Sequence, residues 1–146
     1  MANLRLQSFS RELVEIIPFF YKEYAKRENN EFARGKISCP QMVTLDFVSR
    51  SPRVKMKDIA NNLGIRMSST TTLVARLIRE KMLKRSHDER DRRLVWVTIT
   101  PKGKKVIDQI LKQKQRSIQE IYSVLTDDER ESYIRLLRKV YTHHIR

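Results

Sequence analysis

The chain has 146 residues, 40% of them hydrophobic and 33% charged, which suffices for one domain with a buried core. It carries 31 Lys and Arg against 17 Asp and Glu, a formal net charge of +14. No uncharged apolar run is long enough to span a membrane and Met1–Ser10 has no signal-peptide pattern; the single cysteine, Cys39, excludes an internal disulfide framework and fits a reducing cytoplasm.

Residues from about Asn3 to Phe32 read as one long helical stretch. Phe9, Leu13, Ile16, Ile17, Phe20 and Tyr24 recur at helical spacing, with Glu and Lys opposite. Pro18 removes a backbone donor and is expected to bend or divide this helix, and Gly35 marks its exit. Ser38 or Cys39 then caps a helix with Pro40 in its first turn and Met42, Leu45, Phe47 and Val48 on its apolar side, ended by Ser51-Pro52. After the lead-in Arg53–Met56, the residues Ile59, Ala60 and Leu63 predict a short helix. Gly64 supplies the positive φ that ends it.

A second helical pattern follows at once. Leu73, Val74, Leu77 and Ile78 face inward, Thr70 partly so, while Ser68, Ser69, Thr71, Thr72 and Arg76 face out. Ser68 is the expected N-cap. Helix, tight turn, helix is the plan that places a second helix in a DNA major groove. Two β-type runs then flank a charged loop, so that Leu94–Ile99 seats a hairpin whose tip carries Arg90, Asp91, Arg92 and Arg93. Trp96 is either a lid on the core or partly exposed. Thr100-Pro101 starts another long helix with Val106, Ile107, Ile110, Leu111, Ile118, Ile121 and Leu125 inward. Thr126-Asp-Asp-Glu129 has capping-box spacing and opens the last helix, which carries Tyr133, Leu136, Leu137, Val140 and Tyr141.

The charge is not spread evenly. From Arg50 to Arg116 there are 19 basic against 6 acidic residues, or +13, leaving +1 for the rest of the chain. Concentration on elements shaped for a groove favours a polyanion, with counterion release supplying much of the affinity. Small hydroxyl residues allow close approach of the second helix to DNA, where they can bond phosphates, base edges or bridging water. Arg76 suits a guanine edge, and Lys84 and Arg85 are phosphate candidates.

At these residues the chain resembles the MarR family of winged helix-turn-helix transcription regulators. The resemblance rests on Asp91-x-Arg93, followed at fixed distance by Ile99-Thr100 and Gly103, with Ile59-Ala60, Leu63-Gly64, Leu77 and Arg85 ahead of it. It implies a mainly α fold with a small β wing, a winged helix-turn-helix flanked by long N- and C-terminal dimerisation helices. The whole of 1–146 would be a single domain, with dimerisation helices at about 1–35 and 104–146 and the reading head at about 36–103. It also implies that Asp91 holds an arginine in place and that Arg93 enters a minor groove. Two departures stand out. Lys57 occupies the usual small N-cap position, so that helix start should be poorly capped apart from Asp58. Lys81 replaces a glycine before the wing, which costs about 1 kcal/mol if the left-handed geometry persists.

The resulting reading is a homodimeric, cytoplasmic, sequence-specific regulator of transcription that binds a pseudo-palindromic double-stranded operator. It would be a repressor released by a small-molecule effector or another signal. The family's effector pocket lies between dimer helices and reading head, where Phe19, Phe20, Tyr21 and Tyr24 are candidates. An architectural protein that coats DNA without choosing a site, and a winged-helix module for protein contacts, are the alternatives. No cofactor, metal or catalytic motif is expected. His143 and His144 are adjacent and so point to different sides of a helix, and His87 lies in the wing. Cys39 at a helix start reads as a packing residue or a redox-sensitive thiol.

Overall fold

The computed structural model describes residues 2–144, with side chains from Arg5 onward. Its elements run α1 (Ala2–Arg27), α2 (Cys39–Ser49), β1 (Val54–Lys55), α3 (Met56–Leu63), α4 (Met67–Arg79), β2 (Leu83–His87), β3 (Val95–Ile99), α5 (Pro101–Ile121), a 3-10 turn (Tyr122–Val124) and α6 (Asp127–His144). The protein is mainly helical, with one three-stranded antiparallel sheet in the order β1-β3-β2. The backbone groups into two compact units, Met1–Arg27 with Lys114–Arg146, and Glu28–Gln113.

Residues 28–113 hold the core. Ile37, Leu45, Val48, Ile59, Val74, Leu77, Val97, Ile107 and Ile110 are almost wholly buried there. Local chemistry sets the helix ends. Ser38 Oγ accepts from the Gln41 N–H at 3.4 Å while Gln41 Oε1 accepts from the Ser38 N–H at 2.8 Å, a reciprocal cap on α2. Gly64, at φ 64°, turns the chain out of α3, and the Ile65 N–H reaches back to the Ala60 carbonyl at 3.2 Å. Thr100 Oγ1 accepts from the Gly103 N–H at 3.0 Å and starts α5.

Three boundaries differ from the sequence reading. The first helix ends at Arg27, not near Phe32. Gln113 Oε1 accepts from the Asn29 N–H at 2.8 Å and from the Asn30 side chain at 2.9 Å, drawing the chain into a turn. Pro18 does not divide α1, which runs on through it. The short helix starts at Met56, so Lys55 and not Lys57 precedes it. No side chain of that residue caps it, and Asp58 Oδ2 instead takes the Lys55 N–H at 2.9 Å.

Lys81 does keep the left-handed conformation, with φ 62°, the single positive-φ residue other than glycine among the described residues. Lys81→Gly should therefore raise stability by up to about 1 kcal/mol, a Tm rise of roughly 3 °C by calorimetry. An unchanged or lower Tm would show the backbone there is unstrained. Gly103 is required for a different reason. A Cβ there would lie 2.2 Å from the Met82 carbonyl oxygen and 3.0 Å from Ile99 Cγ1. That carbonyl already accepts from the Thr100 N–H at 3.0 Å, so it cannot retreat without breaking the junction of β2 and α5. Gly103→Ala should cost about 3 kcal/mol in a urea titration, and a loss below roughly 1 kcal/mol would contradict the close packing.

The terminal unit is built differently. Among the described residues, the buried apolar side chains all fall between Ile37 and Ile110, none of them in α1 or α6. Thr126 and Glu129 form the expected capping box, with Glu129 Oε2 accepting from the Thr126 N–H at 2.8 Å. Yet α6 then exposes Leu136, Leu137, Val140 and Tyr141, and α1 exposes Leu6, Phe9, Leu13, Ile16 and Ile17. No helix among the described residues is long and apolar enough to cross a membrane.

Candidate nucleic-acid interface

The reading head presents two elements, helix α4 and the β2–β3 hairpin. On α4, Thr70, Val74 and Leu77 are buried, which fixes the rotation of the helix. Ser68, Ser69, Thr71, Thr72 and Arg76 are then all exposed. Thr70 is fully buried, deeper than the partial burial expected of it, and its hydroxyl donates to the Arg66 carbonyl at 3.1 Å. Ser68 is not the N-cap. The helix begins at Met67 with Arg66 at the cap position and no side-chain cap, so Ser68 sits inside the first turn. The uncapped N–H groups of that turn, beside the exposed Arg66, are donors aimed out of the helix end.

Arg76 is joined on the outer face by a second long donor. Arg79 lies on the same side as Ser68 and Thr72 by helical spacing and is exposed. Arg76 itself is tied down, its Nε donating to Glu80 Oε1 at 3.2 Å, which leaves its terminal fork free.

The hairpin is in register from Leu83 opposite Ile99 to His87 opposite Val95. Neighbouring strand residues point to opposite faces, so Lys84 and Arg85, both exposed, cannot meet the same surface. Lys84 shares its face with Trp96 and with Lys55, which pairs with Trp96 from β1. β1 escaped the sequence reading, because two residues are too few to show alternation.

The wing tip, Asp88–Arg93, has three acids and three arginines and is neutral in sequence. The fold ties two of the three acids into the hairpin. Asp88 turns inward: Oδ1 accepts from the Arg90 and Asp91 N–H groups at 2.9 and 3.2 Å, and Oδ2 from Trp96 Nε1 at 2.9 Å. Asp91 Oδ1 accepts from the Arg93 N–H at 3.0 Å and lies 3.6 Å from Arg93 Nε. His87 Nδ1 meets the Arg92 carbonyl at 3.0 Å. Asp88 and Asp91 are thus tied into the hairpin, while Glu89 stays exposed beside Arg90, Arg92 and Arg93, and the Arg93 side chain is 95% exposed. Trp96 is half-buried under two cations, with Arg53 4.1 Å and Lys55 5.3 Å from the ring centroid. Arg53 also lies 3.6 Å from Asp88 Oδ2. Asp88, Arg53, Lys55, Arg66 and Arg79 are thus additions to the residues nominated from sequence.

The hydrogen bond from Trp96, then those from the Arg90 and Asp91 backbone, hold the Asp88 carboxyl below the usual aspartate range. A lowered folded-state pKa stabilises the wing fully above the unfolded value of about 3.9 and less as pH falls through the folded value. Trp96 is the one tryptophan in the sequence. Its fluorescence should accordingly stay constant from pH 8 to 5 and change only below about pH 4. A transition between pH 8 and 5 would show that Asp88 does not set the wing's response to pH.

The terminal unit contains an open cleft of about 780 Å³, lined by Tyr24, Ile118, Tyr122, Tyr133, Ile134 and Leu137 among others. Of the residues nominated for an effector, Tyr24 lines it. Phe20 instead stacks on Tyr122 with centroids 5.8 Å apart, and Phe19 sits edge-on to Phe20. Tyr21 is exposed. The Tyr122 and Tyr133 hydroxyls meet at 3.0 Å, and this bond with partial burial pushes Tyr133 up to about 12. Cys39 is exposed at the start of α2. The His143 and His144 rings meet edge to face at 5.2 Å, although adjacent helix positions were expected to part them. Among the described residues no group of three His, Cys, Asp or Glu side chains could hold a metal ion.

Comparison with known proteins agrees with this geometry. Residues 37–95 match the MarR family. An uncharacterized HTH-type transcriptional regulator of Bacillus subtilis, YkoM, is 30% identical over 147 aligned residues, covering 93% of each chain. A second from the same organism, YfiV, is 31% identical over 103 residues, 70% of this chain and 64% of that one. This match spans just under two thirds of YfiV's length. Among solved structures, Streptococcus pneumoniae FabT in complex with DNA superposes with a TM-score of 0.79 at 22% identity, over 94% of this chain and 96% of that one.

Proposed function

The chain belongs to the MarR family of HTH-type, DNA-binding transcriptional regulators, and from that premise we propose that it acts as a homodimer on a pseudo-palindromic double-stranded operator. The exposed wing arginines beside an exposed α4 carry this reading. Asp88 is tied into the hairpin and Asp91 is spent on Arg93, so the three exposed guanidinium groups are presented where a polyanion could meet them. Helix α4 would enter a major groove with Ser68, Ser69, Thr71, Thr72 and Arg76, and Arg93 the flanking minor groove. Arg53, Lys55, Lys84 and Arg79 would serve phosphates, and Arg85, on the opposite face of its strand, would not share that surface with Lys84. FabT's solved complex with DNA supports the docking of this fold on a duplex.

The exposed stripes of α1 and α6 support the dimer, with about 1–35 and 104–146 as its dimerisation helices and about 36–103 as its reading head. A two-fold axis would set half-site centres roughly 10 base pairs apart. Bound there in the cytoplasm, the protein would repress by occupying the operator. A small apolar molecule in the tyrosine-lined cleft of the terminal unit would release it by favouring a dimer geometry that DNA does not.

Selection from a randomised duplex pool at two salt concentrations, with Arg93→Ala alongside, tests the reading. It predicts a two-fold symmetric motif that the variant binds less tightly. Binding without enrichment would favour the architectural alternative, and no binding at low salt would remove both.

A further inference from the structure

The outer surface of α4 is less polar than its sequence reads. Thr71 Oγ1 donates to the Met67 carbonyl at 2.9 Å, and Thr72 Oγ1 to the Ser68 carbonyl at 3.2 Å. A hydroxyl has one proton, so these two cannot also donate to a phosphate or a base acceptor. With the hydroxyl folded back along the helix, the γ-methyl is the group each threonine offers outward. Met67, 46% exposed, and the exposed Ala75 lie one turn to either side of Thr71, completing an apolar row.

The helix also lacks the side chains that read two of the bases. Between Met67 and Arg79 there is no Asn or Gln to grip adenine N6 and N7, and no Asp or Glu to accept from cytosine N4. The base that a methyl-bearing surface can single out is thymine, whose C5-methyl projects into the major groove.

We propose that α4 selects its site by packing the Thr71 and Thr72 γ-methyls against thymine C5-methyl groups. This rests on the DNA-binding reading above and names what that surface prefers. It predicts thymines under α4 in each half-site, whatever the wing selects outside them.

The test removes the methyl and nothing else. In the duplex recovered from the random pool, each half-site thymine is replaced in turn by deoxyuridine. At least one replacement should weaken wild-type binding about fourfold for each packed methyl removed. Thr71→Ser with Thr72→Ser keeps both hydroxyls and should bind thymine and uracil duplexes alike. Thr71→Val with Thr72→Val keeps the methyls and should retain the uracil penalty. Equal wild-type affinity for thymine and uracil duplexes would overturn the methyl reading while leaving DNA binding intact. So would a uracil penalty that survives in the serine variant. Failure to recover any bound duplex would instead remove the DNA-binding reading beneath it.

Discussion

Phe9→Glu combined with Leu136→Glu should convert the protein from a dimer to a folded monomer and reduce operator affinity by at least a hundredfold. Both side chains are well exposed on the single chain, 58% and 60%, so neither change removes intrachain core. Glutamate is also a good helix former, and the helices should persist by circular dichroism. In the dimer the same positions would lie in an apolar seam, and two-fold symmetry would bring four carboxylates into it. Each unpaired charge buried there costs several kcal/mol, in addition to the apolar burial that the substitution removes. The fall in affinity follows from valency. Two linked reading heads convert the second binding step into an intramolecular one, worth roughly 10²–10⁴ in avidity. Sedimentation velocity with titration of full and half operators separates these effects. Half-site affinity should barely move while full-site affinity collapses. A wild-type chain that sediments as a monomer at micromolar concentration, or a double variant that stays dimeric, would refute this use of the terminal helices.

Much of the architecture was legible because it rests on local chemistry. Helical periodicity located the inward face of α4 and, in α5, buried Ile107 and Ile110, although Ile118, expected inward, is 47% exposed and Leu125 lies beyond the helix. Gly64 announced its turn, and Ser38 and Thr126 announced their caps. What escaped notice depends on register or on distant partners. Lys55 meets Trp96 because β1 pairs with β3, and no spacing in the sequence brings these residues together. α1 ends at Arg27 because Gln113, some eighty residues away, takes the Asn29 N–H. The misplaced cap at Ser68 has another cause. Serine is a good N-cap, but buried Thr70 and Val74 set where the helix must begin its first turn, and packing overrode the local preference. Arg79 could have been found, since it follows Ser68 and Thr72 at helical intervals; the small hydroxyl residues drew attention to one end of the helix.

The wing offers a test in which charge and geometry predict opposite signs. Asp91→Ala makes the protein more positive by one charge per subunit, and an account based on net charge alone expects tighter DNA binding. The structure predicts the reverse. Asp91 accepts from the Arg93 N–H and stands 3.6 Å from its Nε, and Arg93 is otherwise 95% exposed with little else to hold it. Released, the guanidinium would have to be ordered at the moment of binding, at a cost of up to about 2 kcal/mol in side-chain entropy. Operator affinity should therefore fall roughly tenfold or more per dimer, most of all for duplexes with A·T-rich flanks whose narrow minor groove rewards an inserted arginine. Arg93→Ala should fall further and also lose about two units of salt slope, one cation from each subunit at about 0.9 apiece. Arg93→Lys separates the two contributions, since it keeps the charge and the slope but not the planar fork, and should lose the flank preference. Tighter binding by Asp91→Ala across all flanks would mean that Arg93 acts as a free surface charge, and the wing would then add attraction to the complex without adding choice of site.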